Sequence, residues 1–80
     1  MPRFLVHHRH AAAECGVAFA AFKGQRSALR HQETLASCAY GGHAIWFVVE
    51  APSEADALAQ LPFYLAERAT ATRVSPVEIP

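Results

Sequence analysis

Residues 38–51 read CAYGGHAIWFVVEA, two adjacent glycines followed by an apolar run. The glycines predict a tight hairpin turn, and the run after them predicts a strand over His43–Ala51. Along this strand Ile45 points to one side, whereas Trp46 and Val48 point to the other. Because a strand that is apolar on both sides is typical of the centre of a sheet, we expect both faces of this sheet to be covered.

The rest of the chain predicts a single domain over residues 1–80. The predicted elements are a first strand over 3–10, a helix over 12–23, a second strand over 34–40, a helix over 54–61 with a further turn over 63–67, and a last strand over 70–79. With right-handed crossovers, this βαββαβ order gives an α+β, ferredoxin-like fold. It has an antiparallel four-stranded sheet of order 4-1-3-2 and two helices on one face. We expect a second copy of the chain to cover the other face, as in a dimeric α+β barrel.

Composition narrows the functional classes. Apolar residues make up 52% and charged residues 18% of the chain, which is typical of a globular protein with an apolar surface suited to a homodimer. Seven basic and seven acidic side chains cancel, so nucleic acid is not an expected partner. No stretch has the length of a membrane span or of a secretory signal, and the sequence therefore predicts a cytoplasmic protein without membrane partners.

Five residues that can bind metal ions converge in this predicted fold. The end of strand one adjoins the start of strand three, the end of strand two and the first turn of helix one. These places hold His10, Glu14, Cys15, Cys38 and His43, with His8 beside His10 at the end of strand one. An even-length hairpin loop leaves Cys38 and His43 on the same face, which makes them the best-supported pair.

Two thiols and two imidazoles are ligands that suit a transition metal ion such as zinc, nickel or copper(I). Glu14 could add an oxygen ligand or orient an imidazole. Each residue also has a simpler interpretation. Cys15 lies on an apolar helical stripe typical of a core, His43 could complete a turn, and His7 and His8 are predicted to be surface or interface groups.

The chain resembles, over nearly its whole length, small bacterial ferredoxin-like proteins of largely unknown function. The segments that carry the resemblance are HAAAEC at 10–15, CAYGGH at 38–43, VEAPSE at 49–54 and LP at 61–62. Some similar proteins are described as nickel-binding dimers. The resemblance implies that the recurring polar positions of the family are His10, Glu14, Cys15, Cys38 and His43. The sequence departs from the pattern at Ala11, where a capping residue is usual, and at Gly16, which weakens the first helical turn.

Three functional hypotheses follow. The first is a non-catalytic metal-binding protein that forms a dimer. The second is an enzyme or small-molecule binder of the dimeric α+β barrel type, such as an isomerase, monooxygenase or decarboxylase. It would use the face beneath Trp46 and Val48, with His7 and Arg9 as polar groups. The third is a redox domain in which Cys15 and Cys38 form a disulfide reversibly.

Overall fold

The computed structural model describes residues 1–80 and has an α+β architecture. Its strands are β1 (Arg3–Arg9), β2 (Leu35–Ala36), β3 (Ala44–Glu50) and β4 (Ala69–Val74), and its helices are α1 (Cys15–Ala20), α2 (Glu54–Leu58) and α3 (Phe63–Ala66). Short 3-10 turns at Ala12–Glu14 and Cys38–Tyr40 precede α1 and β3.

The strands form one open antiparallel sheet in the order β2-β3-β1-β4, which reads 4-1-3-2 from the opposite edge. β1 and β3 lie side by side in the centre, with Val6 opposite Phe47, and β4 pairs with the other side of β1, with Val6 opposite Ala71. The predicted class and the four-stranded antiparallel sheet are confirmed. This arrangement is compatible with a ferredoxin-like fold.

The hydrophobic core lies on one face of the sheet, which we call the covered face. Alternate strand residues supply its floor, and side chains from α2 and from the segment through α3 pack over them. Its buried members are Phe4, Val6, Ile45, Phe47, Val49, Ala51, Ala57, Leu61, Leu65 and Ala71. The opposite, open face carries Leu5, Trp46 and Val48, and Val48 is 64% exposed.

The hairpin is wider than a two-residue turn. β2 ends at Ala36 rather than at Tyr40, because the chain tightens into the 3-10 turn Cys38–Tyr40. Gly41, at φ 85°, ends this turn in the left-handed region that glycine tolerates. Pairing nevertheless continues beyond β2, since the Ser37 N–H donates to the Ala44 carbonyl at 2.9 Å.

The other elements are also shorter than predicted. α1 ends at Ala20 and the chain then runs through turns to Gly24, and α2 ends at Leu58, ahead of Pro62. The predicted start of α2 is confirmed, because the Ser53 hydroxyl accepts from the Asp56 N–H at 3.2 Å. β4 ends at Val74, where β1 runs out of residues to pair with it, so the predicted extension to residue 79 is wrong.

Candidate metal centre

The β1–β3 register brings His10 and His43 together. Arg9 and Ala44 form the last ladder pair, and the next residues stay paired because the His10 N–H donates to the His43 carbonyl at 3.1 Å. The two imidazole rings lie 5.7 Å apart between centroids. Both histidines therefore lie at the end of the sheet where β1 finishes and β3 begins.

The β2–β3 register adds Cys38. Ala36 pairs with Ile45, and Ser37 bonds to Ala44, so Cys38 is the next residue along, across from His43. The predicted proximity of Cys38 and His43 is confirmed, although the loop differs from the predicted turn. The fourth group is Cys15, the first residue of α1. One side-chain ligand atom from each of His10, Cys15, Cys38 and His43 lies within 4.8 Å of all the others.

Glu14, the fifth predicted ligand, lies outside this four-residue cluster. Its carboxylate accepts from the Ala11 N–H at 3.2 Å and from the hydroxyl of Tyr64 in α3. The Tyr64 bond is the main cause that lowers the pKa of Glu14, and the same bond raises the pKa of Tyr64. Glu14 thus satisfies the Ala11 N–H and ties the start of α1 to α3.

His8 lies next to the cluster, and the sequence predicted its place at this end of the sheet but not its burial. Predicted as a surface group, it is instead completely buried on the covered face, and burial is the main cause that lowers its pKa. Its Nδ1 lies 3.1 Å from the Leu65 carbonyl, and its Nε2 lies 3.2 Å from Nδ1 of His10. Strand alternation carried the signal, since it puts His8 on the same side as Phe4 and Val6.

The hydrogen-bond chain continues from His10 to Cys38. Nε2 of His10 lies 3.5 Å from Sγ of Cys38, within the range of a bond donated by the thiol. The Phe19 ring stands edge-on to His10 at 6.5 Å between centroids and shields one side of it. His10 is therefore oriented by contacts on both of its nitrogens.

His43 has an unsatisfied nitrogen. Its Nδ1 is buried and has no hydrogen-bond partner, although buried polar atoms are nearly always paired. The residue also has a φ of 47°, in the left-handed region that few residues besides glycine, asparagine, aspartate and histidine adopt. A buried nitrogen without a partner is the arrangement expected where a ligand completes the site.

Close packing in the loop sets the position of His43. A Cβ on Gly42 would lie 2.3 Å from the Ser37 hydroxyl, so only glycine fits there without movement. That hydroxyl accepts from the Ala44 N–H at 3.1 Å, and the Ser37 carbonyl accepts from the Gly42 N–H at 3.0 Å. Ser37 and Gly42 therefore hold the backbone on both sides of His43.

The two cysteines are free thiols. Burial raises the pKa of Cys38, and the neighbouring Cys15 thiol raises it further. A transition metal ion that binds thiolates would displace these thiol protons. Two sulfur and two imidazole donors match the ligand sets of tetrahedral zinc sites and suit other borderline or soft ions. The residues present therefore fit a transition metal ion.

The remaining histidines lie away from the cluster. His7 is on the open face, where it stacks on Trp46 with ring centroids 5.2 Å apart, and His31 belongs to the loop between α1 and β2. None of the helices has the length and apolar character needed to cross a membrane. Neither a protein-family model, nor a curated protein, nor a solved structure matches the chain.

Proposed function

We propose that this protein binds one transition metal ion per chain through His10, Cys15, Cys38 and His43. The observation that carries the proposal is the convergence of four ligand atoms within 4.8 Å from separate segments of the chain. Cys15 begins α1, His10 follows β1, and Cys38 and His43 stand at the two ends of the β2–β3 loop. The buried and unpaired Nδ1 of His43 supports the same conclusion.

The role that we propose is binding rather than catalysis. Four protein ligands satisfy a tetrahedral ion, whereas catalytic zinc sites keep one position for water or substrate. Zinc, nickel and copper(I) all accept this ligand set. Glu14 is the predicted additional group, and its bonds to Ala11 and Tyr64 favour a supporting role over direct ligation. Two reduced thiols are consistent with the cytoplasm as the compartment.

The experiment is metal analysis of protein purified anaerobically without chelator, followed by titration of the metal-free form with zinc, nickel and copper(I). We expect one ion per chain, and we expect Cys38→Ser to weaken binding strongly. His31→Asn is the matched control, since it removes an imidazole outside the cluster and asparagine tolerates the φ of 65° at that position. Absence of affinity for all three ions, or equal affinity in Cys38→Ser, would contradict the proposal.

The partner that we propose for the open face is a second copy of the chain, as the resemblance to ferredoxin-like dimers implies. The exposed side chains of Leu5 and Val48 and the His7–Trp46 stack form an apolar surface with no helix over it. A second sheet would bury this surface. Sedimentation should show a dimer that Val48→Glu dissociates, whereas Val77→Glu, at an exposed position beyond β4, should leave it intact. A monomeric wild-type protein would contradict this part of the proposal.

A second candidate function is favoured by the proximity of the two sulfur atoms. Hydrogen peroxide would oxidise Cys15 and Cys38 together: the two thiols give up their hydrogens, a disulfide forms, and the peroxide leaves as two water molecules. Intact mass spectrometry tests this, because a disulfide lowers the mass by two hydrogens and a thiol reductant restores them. A thiol pair that stays reduced under mild peroxide would exclude it.

A further inference from the structure

We propose that His8 is a positioning residue of the metal centre, which fixes His10 so that its Nε2 is the nitrogen that binds the ion. The inference rests on the proposed function, since it concerns how that site is held in place. It adds a residue that has no direct contact with Cys15, Cys38 or His43 among the hydrogen bonds of the structure.

The carbonyl of Leu65 can only accept a hydrogen bond. Nδ1 of His8 lies 3.1 Å from this oxygen, so Nδ1 must carry the proton and donate it. In a neutral imidazole the other nitrogen is then a bare acceptor. Nε2 of His8 therefore presents a lone pair to its neighbour on the same strand, His10.

The same reasoning then applies to His10. Its Nδ1 lies 3.2 Å from the bare Nε2 of His8, so Nδ1 of His10 must carry the proton in this bond. Its Nε2 is left with a lone pair, and this nitrogen is the one that lies 3.5 Å from Sγ of Cys38. The chain of bonds thus selects the tautomer of His10 that offers Nε2 to an ion between the two residues.

The burial of His8 stabilises the bonds that select the tautomer of His10. His8 has no exposed surface, so water cannot replace either of its bonds, and it packs on the same face as Val6. Metal-binding histidines commonly donate their second nitrogen to an acceptor in this way, which sets the ring orientation and raises the basicity of the ligand. Here the acceptor is another imidazole, held in turn by a backbone carbonyl.

Helix α3 anchors both sides of the site through consecutive residues. The Leu65 carbonyl supports His8 and hence His10, while the Tyr64 hydroxyl bonds to Glu14, next to Cys15. The two ligands that do not belong to the β2–β3 loop are therefore positioned from one short helix. This arrangement explains why a buried polar residue is retained in the core at His8.

The experiment compares His8→Phe, which keeps the ring and removes both nitrogens, with His8→Gln, which keeps a side-chain oxygen that can accept from His10. Val6→Ala is the matched control, because Val6 is equally buried on β1. Its truncation destabilises the fold but leaves the hydrogen bonds of His8 and His10 in place. The readouts are zinc affinity by competition with a chromophoric chelator and the His10 tautomer by nitrogen NMR of the metal-free protein.

We expect wild type, His8→Gln and Val6→Ala to hold the proton of His10 on Nδ1, and His8→Phe to lose this preference. Zinc affinity should fall at least about tenfold in His8→Phe and change less than about threefold in Val6→Ala. A His10 proton on Nε2 in the wild type would overturn the inference, as would zinc affinity in His8→Phe equal to that of the wild type. If the wild type binds no metal, the proposed function fails. The tautomer measurement still shows whether His8 fixes the proton of His10 on Nδ1.

Discussion

The two faces of the sheet differ sharply although the same strands build them. On the covered face, Val6 and Ile45 have no exposed surface, and the next polar residue along β1, His8, is buried with both nitrogens bonded. On the open face, Val48 is 64% exposed and His7 merely stacks on Trp46. Two adjacent histidines in one strand thus have different surroundings, because strand alternation places them on opposite faces of the sheet.

The difference explains why the metal centre lies where it does. His10 continues the covered face beyond the end of β1, and His43 continues it before the start of β3. At this end Cys15 and Phe19 of α1 stand beside His10, so the polar groups of the cluster remain on the covered side of the sheet.

The largest expected effect tests the packing of the two faces. Ile45→Ala removes a fully buried side chain and should lower the free energy of unfolding by about 2–5 kcal/mol, since it leaves a cavity in the core. Val48→Ala on the same strand should cost less than about 0.5 kcal/mol in the monomer. Urea unfolding followed by circular dichroism measures both. If the loss of unfolding free energy in Val48→Ala grows with protein concentration, a second copy covers the open face. Equal losses for Ile45→Ala and Val48→Ala in dilute protein would contradict the difference between the two faces.

The second prediction concerns the histidines. His10→Ala removes a ligand and should weaken zinc binding by about a hundredfold or more, because even the loss of a supporting residue costs about 10- to 100-fold. His7→Ala removes an imidazole from the open face and should leave the affinity unchanged. Competition titration of the two variants under the same conditions measures both zinc affinities. A similar loss of zinc affinity in both variants would contradict the prediction.

The third and smallest effect concerns two glycines that adjoin proposed ligands in the sequence, Gly42 before His43 and Gly16 after Cys15. Gly42→Ala forces Ser37 and the loop apart and should cost about 1 kcal/mol or more, together with metal affinity. Gly16→Ala meets nothing within 4 Å and should instead stabilise α1 by about 0.5–1 kcal/mol without changing affinity. Thermal unfolding and zinc titration test the pair. Unchanged zinc affinity in Gly42→Ala would show that the loop does not position His43.

The sequence predicted the sheet and the convergence of the site because both depend on strand order and parity. Cys38 and His43 lie close together even though the loop is not the predicted turn. The 3-10 turn preserves the register in which Ala36 pairs with Ile45 and Ser37 bonds to Ala44. The buried role of His8 was missed because the sequence alone does not show that a carbonyl of α3 faces β1. The helix ends also differed, since packing and turns rather than propensity end α1 and α2.

Glu14 shows a second limit of sequence reasoning. Its position beside Cys15 suggests a ligand, but the structure gives its carboxylate two other partners, Ala11 and Tyr64. The bond to Tyr64 spans fifty positions of the chain, so no local pattern could have predicted it. Contacts between the start of α1 and α3 exist only once the domain is folded.

X-ray absorption spectroscopy at the zinc edge of the zinc-loaded protein tests the proposed ligand set of two cysteines and two histidines most directly. We expect a four-coordinate shell with two sulfur atoms at about 2.3 Å and two imidazole nitrogens at about 2.0–2.1 Å, and the loss of one sulfur in Cys38→Ser. A shell made only of oxygen and nitrogen, or a sulfur shell unchanged in Cys38→Ser, would contradict it.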